Sequence, residues 1–362
     1  MRKLILVLMA FLLVSCASPE APEEEPDDTT VVGGGTDAYS ILVPFANSPL
    51  RQEYANTYRE TDLMEIGRGL LEKSKEPFAP KNYSVSEGSL LTPNRYYELL
   101  GRESDTNVYA LNKEGNFEPE EGVTLIRPQF VSNLVELNFH KTNSKDKVDA
   151  VSVAMVMKRI QLLDPEIGST YRVEDDVLFE VGRTLGQQLH SYLRTLEGAS
   201  DIPIMIALYV QESDGDNLPG RYLPGHYIGN ALFESARSGE FTRTQESWVL
   251  MNSEQMLNTL PQTYSDFSEF KRTITHFMGD ESVGVVGKAF MNGNKATRIQ
   301  FEITTGPKTY LELHGLAESI KVGLKRFDDL GVDIVTDVMI FQKTRIIINK
   351  TAGQEAEIII LN

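Results

Sequence analysis

Two spacings of apolar residues run through this chain, one of three to four positions and one of two, and they interleave from end to end. Tyr39 to Val43 reads as a short strand closed by Pro44. Asp62 then opens a helix, with Glu65 completing a capping box and Leu63, Ile66 and Leu70 on one face; Pro77 ends it. A shorter helix has Thr92 as its cap, Pro93 at its first position and Gly101 beyond its end. Val135, Leu137 and Phe139 alternate with polar residues. After the polar turn KTNSKDK, Val151, Val153 and Met155 alternate again, which predicts an antiparallel hairpin.

The longest helix is expected from Asp175 to Leu196, with Val177, Val181, Leu185, Leu189, Tyr192 and Leu196 on one buried stripe and Gly198 as its stop. Ile202 to Val210 (IPIMIALYV) follows as a fully buried strand. The rest of the chain repeats this rhythm. A helix from Asp266 to Met278 aligns Phe267, Phe270, Ile274 and Phe277. GVVGKAF then turns at Asn292-Gly293-Asn294 into ATRIQFEIT. A helix over Leu316 to Phe327 leads into VDIVTDVMIF, then IIIN and EIIIL around Ala352-Gly353. No short-period repeat is present. The expectation is an α+β fold of two lobes, 38–200 and 201–362, each a mainly antiparallel sheet with helices on one side.

The start of the chain follows neither rhythm. Arg2 and Lys3 precede an unbroken apolar run from Leu4 to Val14, the layout of a secretory signal peptide and too short to span a bilayer comfortably. It ends in Leu13-Val14-Ser15-Cys16, which has the form of a lipobox, and Cys16 is the only cysteine in 362 residues. Cleavage between Ser15 and Cys16 is expected, with a diacylglycerol joined to the Cys16 thiol by the lipoprotein-processing enzymes. Residues 1–15 are then the leader. Residues 16–37 are the lipidated cysteine and a disordered acidic tether, because Ala17 to Thr36 holds almost nothing that packs. Twenty such residues span roughly 25 Å. The six carboxylates of the tether, from Glu20 to Asp28, oppose anionic headgroups, while two acyl chains suffice for a stable anchor at the outer face of the cytoplasmic membrane.

Composition narrows the class. The chain has 52 acidic and 35 basic residues, a formal charge of −17, which argues against nucleic-acid binding. One cysteine permits no intramolecular disulfide, so the exported part must rest on its core, and 41% apolar residues supply one.

Chemistry-bearing residues are scattered. His140, His190, His226, His276 and His314 show no metalloprotease spacing, and neither a metal nor a cofactor is expected. Ser268-Glu-Phe-Lys271 matches S-x-x-K but lacks the accompanying elements, and Ser144 to Lys147 matches it equally inside a turn. Glu212, Asp214 and Asp216 resemble the start of a calcium loop without its later glycine and glutamate, and read as a solvated loop. Gly67 and Gly69 fall within a helix, where close packing is the expected role. Trp248, Tyr222 and Tyr227 fit either a sugar or peptide platform or a core strand. No catalytic residue is assigned and the mature part is expected to be non-enzymatic.

Taken together and in order, several segments resemble the CamS-type sex pheromone lipoproteins of low-GC Gram-positive bacteria. They are VPFANSPLR, GLLEKSKEPFAPKNYSVSEGSLL, DIPIMIALYVQE with LPGRYL, ESWVLMNSE, FSEFKRTITHFM and GVVGKAFMNGNKATRIQFEI, covering nearly the whole mature chain. Phe45 and Ala46 after Pro44, and Gln52 after Arg51, depart from the family pattern of tyrosine, lysine and glycine there. The resemblance implies a folded domain without established activity and a leader trimmed to a short apolar peptide. In some members that peptide is a mating signal for plasmid-bearing enterococci. Here it corresponds to Met9, Ala10, Phe11, Leu12, Leu13, Val14 and Ser15, with Phe11 third, Leu13 fifth and Ser15 last. Two other readings remain: a ligand-binding lipoprotein (for a solute or for the cell wall) with an interlobe cleft, and a cell-wall hydrolase, for which no constellation is visible.

Overall fold

A computed structural model describes residues 31–57, 61–142, 147–164, 166–212, 223–234, 239–279 and 283–361. The leader, Cys16, most of the tether, Ser144, Asp214, Asp216 and Tyr222 lie outside the described residues.

The first sheet begins with β1 (Val31–Gly33), β2 (Ser40–Leu42), helices α1 (Arg51–Thr57) and α2 (Leu63–Ser74), β3 (Tyr83–Glu87) and α3 (Pro93–Leu100). The small hairpin β4 (Phe117–Glu120) and β5 (Val123–Leu125) precedes the long pair β6 (Val131–Lys141) and β7 (Ala150–Lys158). A second small hairpin, β8 (Ile160–Asp164) and β9 (Ser169–Arg172), leads to α4 (Asp175–Leu193), β10 (Ile204–Gln211), β11 (His226–Phe233) and β12 (Thr242–Arg243). Eight of these strands form one sheet in the order β1-β2-β3-β6-β7-β10-β11-β12.

The second sheet runs β13 (Glu246–Leu250), α5 (Glu254–Thr259), α6 (Pro261–Met278), β14 (Gly284–Asn292), β15 (Lys295–Thr305) and α7 (Tyr310–Gly323). A 3-10 helix (Leu324–Leu330) leads into β16 (Asp333–Ile340), β17 (Lys343–Lys350) and β18 (Glu357–Ile360), and the strands lie in sequence order.

The two sheets share a plan that strand patterning does not reveal. β3-α3-β6-β7-α4-β10-β11-β12 and β13-α6-β14-β15-α7-β16-β17-β18 have the same strand order and the same sense at every pairing. Each has a central parallel pair, β7 with β10 and β15 with β16, and antiparallel neighbours outward. A helix joins each parallel pair, as a parallel connection requires. The architecture is α+β with mainly antiparallel pairing.

Because β10 returns beside β7, it belongs to the first sheet together with β11 and β12. The first sheet therefore runs on past residue 200 to Arg243, and the second begins at Glu246. Val31 to Gly33, inside the stretch expected to be tether, pairs with Ser40 to Leu42, since edge-strand bonding uses backbone and needs no apolar side chain.

Burial explains the two strand signatures. In β7, Val151, Val153, Met155 and Met157 face the core under α3 and α4, while Ala150, Ala154 and Val156 face the core under α2. Helices thus cover both faces of the first sheet, not one, and its central strands are apolar throughout. In β15, Ile299, Phe301 and Ile303 face α6 and α7, and Gln300 and Glu302 face away, so the pattern alternates. Helix caps follow the sequence with one change. Asp62 accepts from the Glu65 amide at 3.0 Å, but the Glu65 carboxylate turns to Arg68 and Arg298 instead of closing the capping box. The closed box is at Thr309 and Glu312, so α7 starts six residues before the expected Leu316.

Candidate ligand pocket

A pocket of about 670 Å³ opens between the outward face of α4 and the segment from Leu111 to Phe130. Val177, Val181 and Leu185, one turn apart on α4, form one wall; Leu111, Phe117 and Phe130 form the other. Val177 and Val181 belong to the stripe expected to be buried, yet they are only partly covered and line this space. Phe117 and Phe130 meet edge to face, with centroids 5.1 Å apart.

The loop wall is held in place by polar side chains. Arg102 donates to the carbonyls of Lys113 at 2.9 Å, Pro128 at 2.8 Å and Arg127 at 2.6 Å. Buried Asn112 accepts from the Val131 amide and donates to the carbonyls of Val131 and Leu100. Buried Gln161 accepts from the Gln129 amide at 3.0 Å and donates to the Gln129 carbonyl at 3.2 Å. Between them Arg127 has φ +47°, immediately before Pro128. A side chain in that region costs about 1 kcal/mol or more, and a following proline disfavours it further. The bonds around it sustain the conformation.

Beneath the start of α4 lies a buried ionic cluster at the C-terminal ends of β7 and β10. Arg159 pairs with Asp175, with Glu212 at 2.9 Å, and donates to the Val173 carbonyl at 2.8 Å. Arg172 reaches the other Glu212 oxygen at 2.5 Å. The His226 ring lies 3.4 Å from Glu212 and 4.0 Å from Asp175, but neither ring nitrogen has hydrogen-bond geometry. Burial lowers its pKa, Glu212 and Asp175 oppose that, and Arg159 reinforces it. Glu212, placed by sequence in a solvated loop, is therefore an anchor between strands. Among the described residues no group of three His, Cys, Asp or Glu is arranged to hold a metal.

The remaining chemistry-bearing residues stand apart. Ser268 is exposed and donates to the Tyr264 carbonyl of its own helix at 2.9 Å; Lys271 is exposed. His140 is buried between the Lys147 carbonyl and the Ser86 hydroxyl, both at 2.9 Å, and burial lowers its pKa. His190 stacks on Phe233 at 4.0 Å and accepts from Arg194 at 2.9 Å; His276 and His314 are exposed. Trp248 is core and not a platform: it is 5% exposed, packs on Phe290, and is capped by the Arg298 guanidinium 4.7 Å from its ring. Tyr227 is buried, its hydroxyl donating to the Ile66 carbonyl at 2.6 Å. A Cβ on Gly69 would come within 2.5 Å of that ring, whereas Gly67 has open space, so only Gly69 serves close packing.

Fold and pocket together define a two-sheet α+β protein with an apolar pocket in its first lobe. Over residues 45–356 the sequence matches the family model described as CamS sex pheromone cAM373 precursor, and the chain belongs to that family. The solved sex pheromone precursor of Lactobacillus salivarius subsp. salivarius superposes with a TM-score of 0.75 at 18% identity, covering 92% of this chain and 98% of that one. The C-terminal domain of the staph-cAM373 precursor of Staphylococcus aureus gives 0.65 at 19% identity, covering 84% and 99%. These likenesses bear on the fold. No curated protein matches the chain by sequence.

Proposed function

We propose that this chain is a membrane-anchored surface lipoprotein whose leader is the precursor of a short apolar signalling peptide. The observation that carries the reading is the lone Cys16 at the end of a charged-then-apolar leader, ahead of a chain matching pheromone precursors over 45–356. The lipoprotein enzymes join diacylglycerol to Cys16 and cut after Ser15. Further trimming leaves Met9 to Ser15 (MAFLLVS). The lipid holds the folded lobes at the outer face of the cytoplasmic membrane, and the acidic tether keeps them off the headgroups. The folded part works without catalysis. The isolated setting of Ser268 and Lys271 supports this reading.

The test is mass spectrometry of medium and membranes from cells producing the chain, with Cys16→Ala as control. Free MAFLLVS with diacylated Cys16 is the expected result, and a mating-response assay with the synthetic peptide then follows. A lipidated chain with no released peptide would reduce the leader to targeting alone; an unlipidated chain would remove the anchor.

A second reading, ligand binding, is favoured by the pocket on α4. The interlobe cleft expected for a receptor is not where that pocket lies: α2 bridges the lobes through Lys73 with Glu246 at 2.6 Å and Glu65 with Arg298 at 2.9 Å.

A further inference from the structure

We propose that the pocket between α4 and the 111–130 segment binds an uncharged aliphatic chain, as carried by a long-chain alcohol or a neutral lipid. Its volume, about 670 Å³, lies within the range of small-molecule sites, roughly 300–1,000 Å³. Water against these apolar walls is displaced by an apolar guest, and that transfer of hydrocarbon out of water is favourable.

The charge of the ligand follows from its rim. Lys113 is paired with Glu103 at 2.6 Å, Asp176 with Arg243 at 2.5 Å, and Glu180 with Arg183 at 2.9 Å. Each rim charge already has a partner of opposite sign within the chain. A carboxylate or ammonium ligand entering here loses water and meets no uncompensated charge in return.

A peptide is disfavoured by the same accounting. Thr184 donates to the Glu180 carbonyl at 3.1 Å, and the Asn116 oxygen accepts from the Arg127 amide at 3.3 Å. Backbone amides brought against Val177, Val181 and Phe117 would lie against hydrocarbon, and unmatched amides there are costly. A methylene chain brings no such groups.

The walls are also set before a ligand arrives. The left-handed Arg127 and the three carbonyls gripped by Arg102 fix the loop side, and α4 fixes the other. A preformed apolar site binds without the cost of ordering a loop. None of this depends on the lipid anchor or on the leader peptide.

The experiment is titration calorimetry on the chain from Ala17 onward, which contains every described element. The probes are 1-decanol, decanoate, decylamine and synthetic MAFLLVS. Expected is saturable 1:1 binding of 1-decanol, with the two charged probes at least about tenfold weaker and the peptide weaker still. Val181→Trp fills the wall and should weaken 1-decanol by at least about tenfold. Gly115→Trp narrows the mouth with the same effect; no atom lies within 4 Å of a Cβ there, so this variant keeps the fold if the first does not. Absence of 1-decanol binding overturns the proposal. So does binding that both substitutions leave unchanged while the melting curve stays native, or tighter binding of the peptide or a charged probe.

Discussion

Arg298 on β15 donates to Glu65 on α2 at 2.9 Å while its guanidinium lies over the ring of Trp248, 4.7 Å from the centroid. One side chain thus ties the second sheet to a helix of the first lobe and roofs the only tryptophan. Arg298→Ala should leave Glu65, itself mostly covered, without its interlobe partner at a cost of roughly 1–3 kcal/mol. Denaturant unfolding followed by tryptophan emission should show a lower midpoint and a red-shifted native spectrum. An unchanged spectrum would mean that the roof does not shield the indole.

Two glycines of one helix should respond in opposite directions. Gly69→Ala forces a methyl group into the Tyr227 ring and should cost roughly 1–3 kcal/mol. Gly67→Ala meets nothing within 4 Å and should stabilise by up to about 1 kcal/mol through helix propensity. Thermal melts of the two variants against the parent chain decide it.

Arg159→Ala should be among the most damaging substitutions in the first lobe. It leaves Glu212, 10% exposed, with Arg172 as its remaining ion-pair partner and takes the donor from the Val173 carbonyl, at a cost of roughly 1–3 kcal/mol. Arg159→Lys should rescue little, since one ammonium cannot reproduce contacts to Asp175, Glu212 and the Val173 carbonyl. Urea unfolding midpoints measure both.

His226 should draw stability down in mild acid, against the opposite pull of buried Glu136, whose carboxyl is raised by burial. His226 is held neutral by burial, with Glu212, Asp175 and Glu246 opposing and Arg159 reinforcing. Its folded pKa lies below its unfolded value, so below about pH 6.5 the unfolded chain takes up more protons. The contribution is complete above that pH and declines as pH drops, by at most about 1.4 kcal/mol per pH unit. His140, also lowered by burial, acts in the same sense, so His226→Gln should reduce the slope between pH 5 and 7 without abolishing it. A slope equal to the parent's would show that His226 does not titrate with folding.

The strands and helices that cover one another along simple faces were legible in the sequence. The hairpin of β14 and β15 turns at Asn292-Gly293-Asn294 as its residues demand, and α4 begins at Asp175 as expected. Parallel pairing was not legible. Ile204 to Val210 reads as buried whichever strand it meets, and only the fold sets it beside Val151 to Met157. The pocket was hidden for a related reason. Val177 and Val181 have the spacing of core positions, and a helix stripe looks the same whether a side chain or open space lies opposite. Arg127 carries no glycine or asparagine to announce its left-handed turn. The expected leader and the role of Cys16 rest on the sequence alone and fall outside the described residues.

The boundary between Arg243 and Glu246 also orders events in time. Every strand of the first ladder precedes every strand of the second, so a chain made amino-terminus first has all the strands of the first ladder with 119 of its residues (244–362) still to follow. Until they follow, Glu65 and Lys73 wait on the surface of α2 for Arg298 and Glu246. The interlobe ion pairs therefore wait on residues beyond the first ladder, and a nascent chain halted at residue 243 would carry every strand of that ladder with Glu65 and Lys73 still lacking their interlobe partners.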